Sequence, residues 1–339
     1  MIGLNKTMKS LICSGILIML VYGTLKTNAA DIFEVNRKLG RGMNLGNFLE
    51  PPRNSSWAIA LNENHLAVIK KAGFDNVRIP VKWSDYASPN PPYAIEPDFF
   101  LRIDRLLDRG EKEDLKVVLN IHHYDGLDAD PDSHIDRFVA LWKQIAARYK
   151  SRGDWLYFEL DNEPHEKLND RWNEVLLKGL AAIRESNPTR AVIVGPTHWN
   201  GIWALSQLEL PSDPNLIVTV HMYNPHEFTH QGASWADERV RAIKDLSWGS
   251  EQEQAALQKE LDQAATWGKT NGRPIYLGEF GAYQAAPLDS RIRWTTAVAK
   301  AATARQMSWS YWEFGSGFGA YDLAKNEWRN DLLKALIAK

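Results

Sequence analysis

Residues 116–123 read Lys116-Val117-Val118-Leu119-Asn120-Ile121-His122-His123, a short apolar and β-branched run that ends in polar side chains. Such a run is typical of a parallel strand that is covered on both faces. Comparable runs recur along the chain and predict eight strands. They are Met43–Leu45, Asn76–Ile79, Lys116–Ile121, Trp155–Glu159, Ala191–Val194, Leu216–Val220, Ile275–Leu277 and Met307–Trp312.

Segments with the spacing of amphipathic helices separate these strands. They are Glu63–Ala72, Phe99–Arg109, His134–Tyr149, Trp172–Ser186, Ile202–Leu208, Glu253–Thr270, Ser290–Arg305 and Asp331–Ile337. Alternating strands and helices predict a parallel sheet covered by helices. Eight repeats favour a single-domain (β/α)8 TIM barrel over an open sheet, and no Gly-x-Gly-x-x-Gly follows the first strand to indicate a dinucleotide site.

The first thirty residues have the order of a secretory signal peptide. Lys6 and Lys9 precede an apolar run at residues 11–23, and the small residues Ala29 and Ala30 follow it. Because the run is shorter than the ~20 residues of a membrane-spanning helix, we expect cleavage near Ala29 or Ala30 and no stable membrane anchor. The predicted organisation is a signal peptide, residues 1–30, and a secreted barrel domain, residues 31–339, that is extracellular or periplasmic.

The charge of the chain argues against nucleic acid as a partner. The formal net charge is −2, and removing residues 1–30 takes away three lysines and no acid, which leaves −5. The only cysteine, Cys13, lies in the predicted leader, so the exported protein must be held together by core packing. We expect a monomer that uses no cofactor and no metal.

Polar residues stand at the ends of the predicted strands. In chain order they are Asn47, Glu50, Arg78, His122, His123, Asn162, Glu163, His221, Tyr223, Glu279 and Trp312. In such barrels these ends meet at one mouth, where the chemistry takes place. Glycoside hydrolysis needs one carboxylic acid to protonate the leaving oxygen and one carboxylate on the other side of the sugar, and Glu163 and Glu279 fit these two parts.

Several motifs resemble glycoside hydrolase family 5 from about Gly42 to the C-terminus. The most specific are Phe158-Glu159-Leu160-Asp161-Asn162-Glu163-Pro164-His165, which resembles the Asn-Glu-Pro signature, and Ile275-Tyr276-Leu277-Gly278-Glu279-Phe280-Gly281, which resembles the nucleophile strand. Glu227-Phe228-Thr229-His230-Gln231-Gly232-Ala233 is similar to the branch containing endoglucanases that also accept mannan. One departure is Asp161, where the family more often has an apolar residue, and it bears on local packing and the pH optimum.

The resemblance implies a role for each matching position. Glu163 is the acid/base and Glu279 the nucleophile, with Asn162 reaching the sugar 2-hydroxyl. Arg78 and Tyr223 hold Glu279 ionised, and His221 tunes the proton affinity of Glu163. The positions that line the sugar subsites are Asn47, Glu50, Pro80, His122, His123, His230, Trp235 and Trp312.

Other histidines and tryptophans have plainer interpretations. His221, His226 and His230 could suggest a metal site, but the chain lacks the closed ligand spacings of such sites, and sugar hydroxyls are equally good partners. Among the fourteen tryptophans, Trp312 is the best sugar platform and Trp235 and Trp83 come next, although Trp83 fits packing under the second loop equally well. Three tryptophans at helical spacing are predicted in the core, namely Trp142, Trp172 and Trp294.

The sequence thus predicts a retaining endo-β-1,4-glucanase that acts on cellulose, mixed-linkage glucan and glucomannan. An endo-β-1,4-mannanase or a xyloglucan hydrolase on the same barrel is the alternative. A sugar-binding barrel without activity and a metal-dependent hydrolase are the other hypotheses.

Overall fold

The computed structural model describes residues 31–337 together with residue 2. Eight parallel strands close into a barrel in chain order: β1 (Arg41–Asn44), β2 (Asn76–Ile79), β3 (Lys116–Asn120), β4 (Leu156–Glu159), β5 (Val192–Val194), β6 (Leu216–Met222), β7 (Ile275–Phe280) and β8 (Ser308–Tyr311). The barrel closes between β1 and β8, where Gly42 pairs with Ser310. The predicted TIM-barrel fold is confirmed.

Twelve α-helices of very different length accompany the barrel within the described residues. They are α1 (Ile32–Leu39), α2 (Asn64–Lys71), α3 (Pro97–Lys112), α4 (Asp125–Ala129), α5 (Pro131–Tyr149), α6 (Trp172–Arg184), α7 (Thr197–Asn200), α8 (His226–Thr229), α9 (Glu238–Ala242), α10 (Glu251–Asn271), α11 (Leu288–Ala304) and α12 (Asn330–Ile337). A small antiparallel pair, β9 (Tyr321–Asp322) and β10 (Glu327–Trp328), precedes α12.

The helix boundaries follow from local sequence signals. Pro97 and Pro131 occupy the first turns of α3 and α5, where a missing N–H costs nothing. Ser250 and Glu253 form a capping box at the start of α10. The predicted helix at Ile202–Leu208 is wrong, because this segment is a 3₁₀-helix, Ile202–Gln207.

Helix α1 closes the N-terminal end of the barrel and has no counterpart among the predicted helices. Its Asn36 donates to the carbonyl of Ile275, the first residue of β7, and accepts from the hydroxyl of Ser308, the first residue of β8. Leu39 packs with inward-facing strand residues such as Tyr157. The opposite, C-terminal end of the barrel is thereby left as the open mouth.

The core buries the three tryptophans that were predicted there, Trp142, Trp172 and Trp294. Trp83 is also completely buried, against the rings of Phe99 and Phe100. It therefore packs beneath the loop that follows β2 and is not available as a sugar platform.

The predicted signal peptide and Cys13 lie outside the described residues. Within the described part of the chain, no helix combines the length and apolar character that crossing a membrane requires.

Candidate active site

The two predicted catalytic glutamates meet at the mouth of the barrel. Glu279 belongs to β7, and Glu163 stands four residues beyond the end of β4. One carboxylate oxygen of each, together with a ring nitrogen of His221, forms a group in which all three atoms lie within 4.8 Å of one another. Glu279 is 4% exposed, whereas Glu163 is more accessible from the mouth.

Arg78, on β2, is the buried cation of the site. Its Nε and Nη2 donate to the two oxygens of Glu159 at 2.6 and 2.7 Å, and its Nη1 donates to Glu279 Oε1 at 2.6 Å. Nη2 also donates to Asn162 Oδ1 at 2.6 Å, and Nη1 to Asn44 Oδ1 at 2.9 Å. The planar guanidinium thus fixes the nucleophile candidate and Asn162 in one frame.

The Glu279 carboxylate has a partner on each oxygen. Oε1 accepts from Arg78, and Oε2 accepts from the Tyr223 hydroxyl at 2.8 Å. Burial raises the pKa of Glu279, while His221, Arg78 and the Tyr223 hydrogen bond act in the opposite direction. The structure therefore places Arg78 and Tyr223 where the sequence predicted them, beside the Glu279 carboxylate.

His221 reaches the mouth through an irregularity in β6. The register between β6 and β7 shifts between Val220 and His221, which turns the imidazole toward the glutamates. A Cβ on Gly278 would lie 2.6 Å from Thr219 Oγ1 and 3.0 Å from His221 Nε2, so only glycine leaves room for this ring. His221 Nδ1 lies 2.5 Å from Glu163 Oε1 and 3.7 Å from Glu279 Oε2.

The hydrogen-bond partners assign the proton of His221. The Asn200 side-chain amide lies 3.3 Å from Nε2 and donates to it, which leaves the proton on Nδ1, facing Glu163. Burial lowers the pKa of His221 to about 4, so the ring is neutral near pH 7. Burial likewise raises the pKa of Glu163 to about 7, which suits a group that gives and then takes a proton.

Asn47 and Glu50 are linked through the loop that follows β1. Glu50 is completely buried, and its carboxylate accepts the backbone N–H groups of Asn47 and Phe48. Burial raises its pKa to about 8. Asn47, with a left-handed φ of 62°, donates to Ser316 Oγ at 2.9 Å. In this structure Glu50 holds the loop that carries Asn47.

Aromatic side chains line one side of the mouth. Trp312, directly after β8, stacks on His122 with ring centres 5.8 Å apart and an interplanar angle of 10°. His123 packs edge-on against His122 and places Nδ1 3.3 Å from the carbonyl oxygen of Glu50. Pro80 directly follows β2 and is buried.

A second aromatic group surrounds Phe318. His230 packs edge-on against Tyr223, with ring centres 5.0 Å apart, and also contacts Phe318. Trp235 is 61% exposed and lies over Tyr283 and Phe318. The chain from Tyr223 through His230 and Phe318 to Trp235 connects the nucleophile candidate to an open aromatic surface.

Several site residues were missed by the sequence reasoning. Asn44 and Glu159 are the last residues of β1 and β4, and both bind Arg78. Asn200 fixes the tautomer of His221 and also donates to the carbonyl of Asn162. Glu313 is completely buried and accepts backbone N–H groups of the following loop. The available signal for Glu159 was a charged residue at the end of the apolar run that forms β4.

The same geometry bears on metal binding. Glu163, His221 and Glu279 are close enough to ligate one cation. Each of them already has a protein hydrogen-bond partner, as the distances above show. The set thus meets the needs of acid/base and nucleophilic chemistry with the protein's own groups.

Comparisons with known proteins agree with this geometry. The model of the cellulase family, glycosyl hydrolase family 5, matches residues 41–317. Endoglucanase H of Acetivibrio thermocellus is 36% identical over 295 residues, which cover 87% of this chain but only 31% of that longer protein. Endoglucanase C of the same organism is 29% identical, covering 75% of this chain and 84% of the relative.

Solved structures are similar to this chain in both sequence and fold. Thermotoga maritima Cel5A in complex with mannotriose is 47% identical with a TM-score of 0.87, covering 91% of this chain and all of that one. The same enzyme in complex with cellobiose is 48% identical with a TM-score of 0.87 and the same coverage. With the barrel, the paired glutamates and these matches together, the chain belongs to glycoside hydrolase family 5.

Proposed function

We propose that this protein is a secreted, retaining endo-β-1,4-glucanase that cleaves internal bonds of cellulose, mixed-linkage glucan and glucomannan. One observation carries the mechanism: the facing carboxylate oxygens of Glu163 and Glu279 lie within 4.8 Å. A retaining glycosidase places its two carboxyl groups ~5 Å apart, whereas an inverting one leaves a wider gap for water.

In the first step Glu163 gives its proton to the glycosidic oxygen while Glu279 attacks the anomeric carbon. The bond from that carbon to the leaving oxygen breaks, and an ester to Glu279 forms. In this proposal Asn162, whose Oδ1 accepts a hydrogen bond from Arg78, binds the 2-hydroxyl of the reacting sugar. The leaving oligosaccharide departs with the proton that Glu163 supplied.

In the second step Glu163 removes a proton from water, and the resulting hydroxide displaces Glu279 from the anomeric carbon. The ester has no negative charge, so its formation lowers the pKa of Glu163 and favours its action as a base. The neutral His221 donates a hydrogen bond from Nδ1 to Glu163 and so stabilises Glu163 when it becomes a carboxylate.

The substrate class is supported by the names of the relatives. The two curated relatives above are named endoglucanases, and solved structures of Cel5A are named for mannotriose and cellobiose complexes. The open aromatic surface at Trp235 and the stacked Trp312 suit the apolar faces of pyranose rings. We propose glucan as the preferred substrate because the two curated relatives are named endoglucanases.

The alternative is an endo-β-1,4-mannanase or a xyloglucan hydrolase on the same barrel. Initial rates on carboxymethyl-cellulose, barley glucan, xyloglucan and galactomannan, measured side by side with the purified enzyme, decide among them. We expect barley glucan or carboxymethyl-cellulose to give the highest kcat/KM. A higher kcat/KM on galactomannan or xyloglucan would reassign the enzyme, and no turnover on any polymer would favour a sugar-binding barrel.

Secretion and the absence of a metal requirement belong to the same proposal. N-terminal sequencing of the exported protein should begin near Ala30 or Asp31. Full activity after dialysis against a chelator is the result we expect, and loss that a divalent cation restores would support the metal-dependent alternative.

A further inference from the structure

The last three residues of α7 have left-handed backbone conformations. His198, Trp199 and Asn200 have φ values of 55°, 57° and 56°. Residues other than glycine rarely adopt this region, and a run of three stores strain of the kind that is found at functional sites. The Trp199 N–H donates to the carbonyl of Pro164, the residue after Glu163, at 3.2 Å. The run therefore fixes Asn200 next to the loop that carries the acid/base candidate.

The side-chain amide of Asn200 has a defined orientation. Asn200 is completely buried, and its Nδ2 donates to the backbone carbonyl of Asn162. Because a carbonyl only accepts, the nitrogen end of the amide must point there. The Oδ1 end lies against Gly195, where a Cβ would be 1.9 Å away, and it has no hydrogen-bond partner among the described residues. An unpaired buried oxygen has a free-energy cost, so the contacts of the nitrogen end determine this orientation.

The same amide nitrogen faces His221. Asn200 Nδ2 lies 3.3 Å from His221 Nε2, and Gly201, the next residue, forms an isolated parallel bridge with His221. A ring nitrogen that faces an N–H donor must accept, so Nε2 has no proton. The proton of the neutral ring is on Nδ1, which donates to Glu163 Oε1. With Oε1 engaged in this way, the proton of Glu163 is on Oε2.

The acid step depends on how Glu163 and His221 share two protons. In the neutral arrangement, His221 Nδ1 and Glu163 Oε2 each hold one. In the ion pair, the proton of Oε2 has moved to Nε2, which leaves an imidazolium and a carboxylate. Only the neutral arrangement can give a proton to the leaving oxygen. A donor that faces Nε2 disfavours the ion pair, since two N–H groups would then point at each other.

Burial opposes an imidazolium at His221, whereas the charges around the ring favour one on balance. The titratable groups that face the ring are Glu163 after β4, Glu159 on β4, Glu279 on β7, Arg78 on β2 and His122 after β3. Glu279 and Glu159 favour the imidazolium, and Arg78 alone opposes it by its charge. An ion pair with Glu163 would also offset part of the cost of burial. The Asn200 amide acts against the ion pair at the one atom where the additional proton would bind.

We propose that Asn200 is a positioning residue for the acid step: its amide keeps a proton off His221 Nε2, so that the catalytic proton stays on Glu163. This inference rests on the proposed role of Glu163 as the acid/base. It gives a function to the strained run in α7, which acts on the reacting atoms through His221.

Two substitutions test the proposal, and both residues tolerate a left-handed backbone. Asn200→Asp replaces Nδ2 by an oxygen that has one hydrogen at most, and the nearer carbonyl of Asn162 takes it, so lone pairs face Nε2. Asn200→Gly removes the amide and carries the test if a buried carboxyl group prevents folding. Asn326→Asp is the matched control, because Asn326 has a left-handed φ of 56° but is exposed between β9 and β10.

Nitrogen-15 NMR of the whole enzyme, labelled at the histidine ring nitrogens, locates the proton between pH 5 and 8. The His221 signals are identified by their loss in His221→Gln. We expect an unprotonated Nε2 in the wild-type enzyme and in Asn326→Asp, a protonated Nε2 at pH 6 in Asn200→Asp, and a smaller change in the same direction in Asn200→Gly. An imidazolium in the wild-type enzyme at pH 6, or an unprotonated Nε2 in both variants at position 200, would overturn the proposal.

The pH dependence of kcat/KM tests the consequence for the reaction. A proton on His221 lowers the pKa of Glu163, so the basic limb on barley glucan should move to lower pH by about one unit in Asn200→Asp, a roughly tenfold loss of activity above the limb. The loss should be smaller on an aryl β-cellobioside with a good leaving group, which needs less protonation. A basic limb that stays in place while Nε2 gains its proton would overturn the link to Glu163. A wild-type enzyme with the expected NMR pattern but no activity on any β-glucan would refute the proposed function alone.

Discussion

The guanidinium of Arg78 donates two hydrogen bonds to the carboxylate of Glu159, at 2.6 and 2.7 Å, and both side chains are completely buried. The same guanidinium donates to Glu279 at 2.6 Å. One cation is therefore shared between two carboxylates. The extent to which Arg78 stabilises the Glu279 carboxylate depends on the charge of Glu159. The pKa of Glu279 can therefore be changed by substituting Glu159, with Glu279 itself left intact.

We expect Arg78→Ala and Glu159→Gln to move the acidic limb of the kcat/KM profile in opposite directions. Loss of the Arg78 cation raises the pKa of Glu279, so the limb moves to higher pH. Removal of the Glu159 charge strengthens the stabilisation of the Glu279 carboxylate by Arg78 and lowers the pKa of Glu279, so the limb moves to lower pH. The profiles are measured on an aryl β-cellobioside between pH 4 and 9.

Folding must be checked in the same experiment. Breaking a buried ion pair costs about 3–5 kcal/mol, so Arg78→Lys accompanies Arg78→Ala as the variant that keeps the charge. An acidic limb that stays in place in both Arg78→Ala and Glu159→Gln, with weaker substrate binding alone, would assign Arg78 to the sugar or the fold.

Glu279→Ala should abolish turnover while the fold remains intact. The side chain ends at the mouth and is not part of the apolar core, so we expect kcat to fall by roughly 10⁴-fold or more, with circular dichroism unchanged. Azide should restore activity by replacing the missing nucleophile and give a glycosyl azide product. Rescue of equal size in Glu163→Ala, with the same product stereochemistry, would contradict the assigned roles.

Activity should fall as the pH rises through about 7, because the first step requires protonated Glu163. In Glu163→Ala this basic limb should disappear from the profile on an activated aryl substrate. Turnover of that substrate should fall less in its first step than turnover of glucan, which needs the full ~10²–10⁴-fold contribution of a general acid. Equal losses on both substrates would mean that Glu163 is not the acid.

The product released first should have the β configuration when the substrate is β-linked. Two displacements at one carbon restore the original configuration, and the spacing within 4.8 Å suits the attack of Glu279. Proton NMR during the first minutes of hydrolysis, before mutarotation, makes the measurement. An initial α-anomer would exclude double displacement.

Gly278→Ala should weaken catalysis without removing any catalytic group. The new Cβ would meet Thr219 Oγ1 and displace the His221 ring from Glu163, so the donor to Glu163 is lost and its pKa rises. We expect lower kcat, a basic limb at higher pH and a loss of about 1–3 kcal/mol in the free energy of unfolding. Adding Thr219→Ala to this variant makes room and should restore part of the activity. If the double variant is no more active than Gly278→Ala, the loss does not arise from the crowding of Thr219 and the His221 ring.

The sequence predicted the barrel well because each strand is a short apolar run and the polar residues follow it directly. Glu163 and Glu279 could be found for the same reason. Glu159 could not be assigned a role, since its partner Arg78 comes from another strand and is seen only in three dimensions. Helix α1, at residues 32–39, was not among the predicted helices, and the segment at residues 202–207 has helical spacing but folds as a 3₁₀-helix.

Two loops at the mouth are each held by a buried carboxylate that accepts backbone N–H groups. The loop after β1 donates N–H groups to the buried Glu50, and the loop after β8 donates N–H groups to the buried Glu313. Every residue except proline carries such a donor, so most loop positions tolerate replacement, whereas Asn47 also has a left-handed φ of 62° and bonds Ser316 through its side chain. The sugars that this mouth accepts can therefore change through the loop side chains, provided that Glu50 and Glu313, which hold the two loop backbones, are kept.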